Sequence, residues 1–384
     1  MDEYSVIVLG GPAAGKTTYL ASLFKKLSTA VDYGFFLTCD DLNDARRLHE
    51  WYAEQADPAK PWQPGTAGNR AWLFSCMVQS PDLTNYRACR FRYHDYAGRI
   101  LTEPAAGPSP PIAELDASIK TASSLLGLID GEKLLSFMRG EPEGGRWAIN
   151  DLAQICRRIL ERGKPTLPFH FVITKWDLLD GTFSLDAVRE RLLANVDEFK
   201  GIVTSWNKAG RTMRLIPISA LGFGFVSRGS DGVLHKVAGA VPRPSRVEAP
   251  LACVLMDAVK DELMRVRERE EDIRRRDVVV KPQTGFLDWL LELVASDLVK
   301  PLIDAVPKKY RSAATVLHRL AVVLRQGAEQ KRADARERSQ QLEQERQSAL
   351  AAVKDEESAL AAAVSAFAQI ESLLDTEFPA SRLA

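Results

Sequence analysis

The sequence predicts an α/β fold, a mainly parallel sheet covered on both faces, followed by an all-helical C-terminal extension. Three observations carry this. The β-branched run Val6-Ile7-Val8-Leu9 breaks at a Gly-rich turn and passes into Lys16-Thr17-Thr18, a strand–turn–helix unit. Up to about residue 260, short apolar runs alternate with amphipathic stretches. Beyond it the strand-like runs stop and good helix formers take over. Strands alternating with helices imply crossover connections, which put helices on both faces of a parallel sheet.

In chain order, the first strand is apolar without alternation, as burial on both faces requires. Residues 30–62 form an insertion before the next strand, "WLFSCMVQ" (72–79). Further strands are read at "CRFRYHDYAG" (89–98), "SSLLGLID" (123–130), "FHFVITKWD" (169–177) and "RLIPIS" (214–219). Helices are read at "INDLAQICRRILERG" (149–163) and "SLDAVRERLLANVDEF" (184–199). The Pro- and Gly-rich segments 56–68, 103–112 and 222–249 read as loops, the last long enough to be a functional or interaction insert. The first domain is assigned to 1–265 and the helical extension to 266–384. Within the extension, 285–307 carries an apolar helical stripe at 287, 290, 291, 294, 298 and 302. Residues 325–347 are polar all round and read as an exposed helical arm. Across 342–375, Ala349, Val353, Leu360, Ala363, Phe367, Ile370 and Leu374 follow a seven-residue pattern that suits a short coiled coil or a helical hairpin.

Bulk composition excludes several classes. Of 384 residues, 46% are hydrophobic and 27% charged, as in soluble globular proteins. Lys+Arg and Asp+Glu are equal at 51 each, which argues against a dedicated nucleic-acid surface. None of the five cysteines (Cys39, Cys76, Cys89, Cys156, Cys253) forms a CxxC pair, so a zinc site is not expected and a reducing, cytoplasmic setting is. No signal-peptide core and no apolar stretch of membrane-spanning length is present.

Gly10 ends the first strand, and Gly15, Lys16 and Thr17 complete the spacing GxxxxGK[ST]. Such a loop turns successive backbone N–H groups toward an anion, and the following helix adds its positive end. Lys16 would reach the β- and γ-phosphates of a nucleotide, and the Thr17 hydroxyl would hold Mg²⁺. Pro12 removes one donor and is placed at a tip position that need not donate.

Three further stretches narrow the nucleotide. In "DYAG", Asp95 to Gly98, the carboxylate can hold a Mg²⁺ water and the glycine N–H can meet a γ-phosphate. In "TKWD", Thr174 to Asp177, the Asp177 carboxylate can accept two hydrogen bonds from guanine, which adenine does not offer in that arrangement. The Lys175 stem can lie along the purine face. The alternative is that Asp177 simply caps a helix. In "ISAL", Ile218 to Leu221, a backbone N–H can meet guanine O6.

The cradle, DxxG, TKxD and SAL, in this order and each at a strand end, resemble the P-loop GTPases of the Ras-, Rho- and Arf-like type over about residues 1–265. The resemblance implies a six-stranded, mostly parallel sheet, Mg²⁺ as cofactor, and GTP or GDP as ligand. It implies phosphate contacts from Gly11, Ala13, Ala14, Gly15, Lys16, Thr17, Thr18 and Gly98. Base contacts fall to Thr174, Lys175, Asp177, Ser219, Ala220 and Leu221. The metal falls to Thr17, Thr66 and Asp95. Thr66 in "PGTAG" is the switch threonine, with Thr38 in "FFLTCD" as second choice. Arg99 stands where the family commonly has a water-orienting Gln. Arg carries donors but no acceptor, so Arg99 either sits in solvent or stabilises transition-state charge. Lys16, Thr66 and Arg99 are the catalytic candidates. The long loop and helical tail are also similar to prokaryotic double-GTPase families.

The expected function is a regulatory GTPase with slow hydrolysis, acting on a protein partner through its switch loops and C-terminal helices, with self-association through the tail as a further expectation. The alternative is a GTP-binding module with negligible turnover that stabilises a complex. An ATPase or small-molecule kinase fits less well, because of "TKWD" and the lack of an acceptor site.

Overall fold

The computed structural model describes residues 3–30, 32–62, 68–102, 110–229, 232–274, 312–313, 315–316 and 334–383. In chain order the elements are β1 (Glu3–Gly10), α1 (Lys16–Lys26), β2 (Phe35–Cys39), α2 (Leu42–Ala56), β3 (Arg70–Gln79), β4 (Asn85–Asp95), α3 (Arg99–Thr102) and α4 (Pro110–Thr121). Then come β5 (Ser124–Ile129), α5 (Gly131–Met138), α6 (Pro142–Trp147), a π turn at Ala148–Leu152, α7 (Ala153–Arg162) and β6 (Phe169–Ile173). The chain continues through α8 (Leu185–Asn195), α9 (Asp197–Lys208), β7 (Leu215–Pro217), β8 (Val226–Arg228), β9 (Leu234–Lys236) and α10 (Ala249–Arg274). Two last helices, α11 (Asp334–Ala351) and α12 (Glu356–Glu377), precede the C-terminus.

The main sheet has seven strands in the order β2-β3-β4-β1-β5-β6-β7. The bonds β4–β1, β1–β5, β5–β6 and β6–β7 are parallel, while β2–β3 and β3–β4 are antiparallel. The expected count of six is corrected to seven by β2, an edge strand inside the insertion at 30–62. "FFLTC" is short and runs straight into the polar helix α2, so it gives no separate periodic signal.

Burial on both faces is explicit in β1. Val6 and Val8 enter one hydrophobic cluster and Ile7 and Leu9 the other, all at 0% exposure. Each such aliphatic side chain contributes about 1.5–3 kcal/mol when fully removed from water. The first cluster joins the sheet to α1, α2, α10 and α12; the second joins it to α4 through α9.

Two further readings change, and one with two alternatives is decided. Residues 184–199 do not form one helix: the chain breaks at Val196, between α8 and α9. The 222–249 loop contains the β8–β9 hairpin. Of the two forms offered for 342–375, the structure has the helical hairpin, broken between Ala351 and Glu356. Asp355 caps α12 by accepting from Ser358 N at 2.8 Å. In α12 burial goes nearly all round, since Ala361, Ala362, Val364, Ser365 and Ala366 are buried beside the expected Ala363 and Phe367. Small side chains let the helix be enclosed by β3, β4, α10 and α11 at once. This helix therefore shares the sheet's own core instead of standing in a separate extension. The stripe at 285–307 and the first part of the polar arm, 325–333, lie outside the described residues. Among the described residues no helix is long and apolar enough to cross a membrane.

Candidate nucleotide site

The parallel strands β1, β4, β5, β6 and β7 end on one edge of the sheet. Apart from Thr38, the described candidate residues lie at those strand ends, in the loops leaving them or in the first turn of the helices that follow, the place where open α/β sheets form ligand crevices. Four contacts tie the loops together. Thr174 Oγ1 donates to Ala14 O at 3.0 Å, joining "TKWD" to the Gly-rich loop. Thr17 Oγ1 lies 3.4 Å from Asp95 Oδ2. Ser219 Oγ donates to Asp177 Oδ1 at 2.5 Å. Gly98 rests against the Gly-rich loop so closely that a Cβ there would lie 2.5 Å from Gly11 C and 2.6 Å from Pro12 N.

The local backbone explains the loop's sequence. Gly15 is left-handed at φ 79° and precedes the first turn of α1, where Tyr19 N bonds Gly15 O at 2.8 Å. Ala13 is also left-handed, at φ 61°. Pro12 is exposed at the tip, while Gly11 and Ala14 are buried. Thr18 lies half-buried in α1.

Lys16 is only 7% exposed, and its ammonium donates to Gly10 O at 2.8 Å and Gly11 O at 3.2 Å. Burial pulls its pKa down; the nearby Asp95 and Asp130 carboxylates oppose that. A lysine folded into its own loop, with carboxylates as distant counter-charges, suits an incoming anion. Thr17 and the 1%-exposed Asp95 are hard oxygen donors facing one another, which fits a magnesium ion.

At the base end, Trp176 N bonds Ile218 O at 3.0 Å and Ile218 N bonds Ile173 O at 2.8 Å, so "TKWD" and "ISAL" form one framework. Burial pushes the Asp177 carboxyl up, and the Ser219 hydrogen bond works against that. Ser219 Oγ also accepts from Gly222 N at 3.0 Å, and Ser219 pairs through its backbone with Ser245. Ala220 is half-buried and Leu221 buried.

The sequence reading passed over the end of β5. Asp130 is 4% exposed and caps α5 by accepting from Glu132 N at 3.0 Å. Its Oδ1 also lies 2.9 Å from Lys175 Nζ, and Glu132 Oε2 lies 3.3 Å from the same ammonium. Burial alone would lower the Lys175 pKa; the two carboxylates outweigh it and raise it. Asp130, burial-raised despite Lys175, sits within the field of Lys16 too. The available signal was positional: "LIDG" ends a strand at the same edge as the other motifs.

Arg99 is exposed, the first residue of α3. Thr66 lies outside the described residues. Thr38 is corrected as an alternative. It sits on the edge strand β2, opposite Ser75 of β3, with β3 and β4 between it and β1.

No model of a known protein family matches the sequence, and no curated protein matches it. Solved structures do. The SRb-GTP/SRX complex of the signal recognition particle receptor from Chaetomium thermophilum matches at 12% identity, over 58% of this chain and 94% of that one, with a TM-score of 0.34. A protein described as nucleolar GTP-binding protein 1 from Plasmodium falciparum matches at 10% identity, over 72% and 96%, with a TM-score of 0.35. The G domain of the T. maritima FeoB iron transporter matches at 12% identity, over 58% and 92%, with a TM-score of 0.26. These matched structures are described as GTP-binding proteins or as a G domain. Likenesses this remote say nothing about its chemistry, which its own residues must carry.

Proposed function

We propose that this protein binds GTP and GDP with Mg²⁺ and acts as a slow regulatory GTPase on a protein partner. The observation that carries the reading is the Ser219–Asp177 hydrogen bond. It joins residues 42 apart in sequence and orients a half-buried carboxylate on the sheet edge that also carries the Gly-rich loop. A fixed, partly desolvated carboxylate is a selective acceptor for a donor pair, and guanine N1–H and N2–H₂ are such a pair.

In this reading the N–H groups of Gly11 and of Ala13 to Thr18 cradle the phosphates and Lys16 exchanges its loop carbonyls for phosphate oxygens. Thr17 and Asp95 hold Mg²⁺, which supplies charge neutralisation when bound. Gly98 and Thr66 sense the γ-phosphate, so the loops around them differ between triphosphate and diphosphate. Asp177, Lys175 and Ser219 to Leu221 read the base. Arg99, in solvent, leaves the attacking water without an orienting carbonyl, which implies slow turnover. The domain assignment, 1–265 for nucleotide and the remainder for partner contact or self-association, is part of the proposal, with α12 counted in the nucleotide-binding core. So are a cytoplasmic setting and the prokaryotic affinity.

The test is equilibrium binding of labelled nucleotides. GTP and GDP bind far more tightly than ATP, and Asp177→Asn weakens GTP while improving xanthosine triphosphate, since the amide donates to the xanthine oxygen. Equal affinity for ATP and GTP in the natural protein refutes the reading.

A further inference from the structure

We propose that Asp130 and Glu132 are positioning residues for nucleotide binding: they anchor the Lys175 ammonium so that its stem stands as a preformed platform for the purine. The proposal rests on the guanine-nucleotide reading above and assigns the control of its base subsite.

The backbone under Lys175 is already fixed. Thr174 N bonds Ile129 O at 3.0 Å, and the single Thr174 Oγ1 proton is shared between Ala14 O at 3.0 Å and Ile129 O at 3.2 Å. Lys175 itself is left-handed at φ 51°. Gly131 packs on this backbone so tightly that a Cβ there would lie 2.1 Å from Thr174 O, so the start of α5 rests directly on the "TKWD" loop. What remains free in such a lysine is the side chain, four rotatable bonds that cost entropy to order. Here both ends are held. The backbone is pinned, and the ammonium sits 2.9 Å from Asp130 Oδ1 and 3.3 Å from Glu132 Oε2. Asp130 is in turn immobilised by its cap bond to Glu132 N, so the clamp is built into the first turn of α5. A stem ordered before the ligand arrives binds with less entropy lost on association.

A purely structural ion pair is the competing account. It predicts equal effects on free and loaded protein. Asp130 also faces Lys16, whereas Glu132 does not figure among the charges acting on Lys16, so Glu132 isolates the clamp.

The experiment uses the full chain and the dissociation rate of fluorescently labelled GDP, with the melting temperature of the nucleotide-free protein alongside. Glu132→Gln is expected to speed dissociation by about two- to fivefold, and Asp130→Asn by more. The melting temperature of free Glu132→Gln should stay at the natural value. In a Lys175→Met background, which keeps the stem and loses the charge, Glu132→Gln should add nothing. Dissociation within twofold of natural for both carboxylate variants overturns the proposal, as does an undiminished Glu132→Gln effect without the lysine charge. If Asp177→Asn still switches base preference in those cases, the guanine reading survives alone. A natural protein that does not bind labelled GDP overturns both.

Discussion

Gly98→Ala tests the contact between "DYAG" and the Gly-rich loop. An added methyl at position 98 would lie 2.5 Å from Gly11 C, 2.6 Å from Pro12 N and 2.7 Å from Gly11 O. Comfortable carbon–carbon contact is about 3.5–4.0 Å, so the overlap is about 1 Å. All three atoms are backbone, and the ring of Pro12 fixes its own φ. Neither side can yield by rotating a side chain. The loop and the end of β4 must part, at about 1–3 kcal/mol for overpacking. If that separation has to be reversed on binding, affinity for a non-hydrolysable GTP analogue falls by roughly 5- to 150-fold. GDP suffers less, because Gly98 is assigned to the γ-phosphate. Gly145→Ala is the control: Gly145 lies in α6, and a Cβ there meets nothing within 4 Å. Titration calorimetry and thermal unfolding of both variants measure the effect. Gly98→Ala binding the analogue within twofold of natural, with an unchanged melting temperature, would show that the two loops do not act together.

Two more outcomes are expected. Intrinsic GTP hydrolysis runs on the order of 10⁻⁴ per second without a partner, and Arg99→Gln leaves it unchanged or raises it, because Arg99 is exposed; single-turnover phosphate release decides, and a drop in rate would assign Arg99 to transition-state charge. The second concerns the docking of α12. Arg214, with a side chain 3% exposed, pairs with Asp375, and Glu371 Oε1 lies 3.9 Å away. Burial favours the neutral Asp375 carboxyl, but Arg214 and Arg382 outweigh it and hold its pKa below the ordinary 3.8. A carboxylate with a depressed folded pKa stabilises fully above its unfolded value and loses that contribution as pH falls through the folded one. Asp375→Asn should therefore cost about 1.5–3 kcal/mol at pH 7, and the gap should narrow as pH drops below about 4. Urea unfolding at several pH values measures it; a gap independent of pH would refute the pairing as the source.

The sequence by itself determined the strand–turn–helix unit at 5–18, the remaining strands of the parallel half, and the order of the four motif stretches. These are local properties: apolar runs set by burial on both faces, and glycines set by left-handed or crowded backbone. Gly15 and Gly98 are where the chain allows nothing larger without strain or clash. Sequence periodicity was weaker where a neighbour decides the structure. β2 exists because β3 offers it an edge, and five residues carry too little pattern to announce that. α12 displays a heptad because Ala363, Phe367, Ile370 and Leu374 are buried, yet its alanines are buried as well. Only the assembled core shows that the helix is enclosed by the sheet, α10 and α11 rather than paired in a coil. The same holds at the nucleotide site. "TKWD" was legible as a unit, while Asp130 and Glu132 were not. They meet Lys175 only because β5 and β6 lie side by side, and parallel strands bring together residues that their crossover keeps more than 40 positions apart.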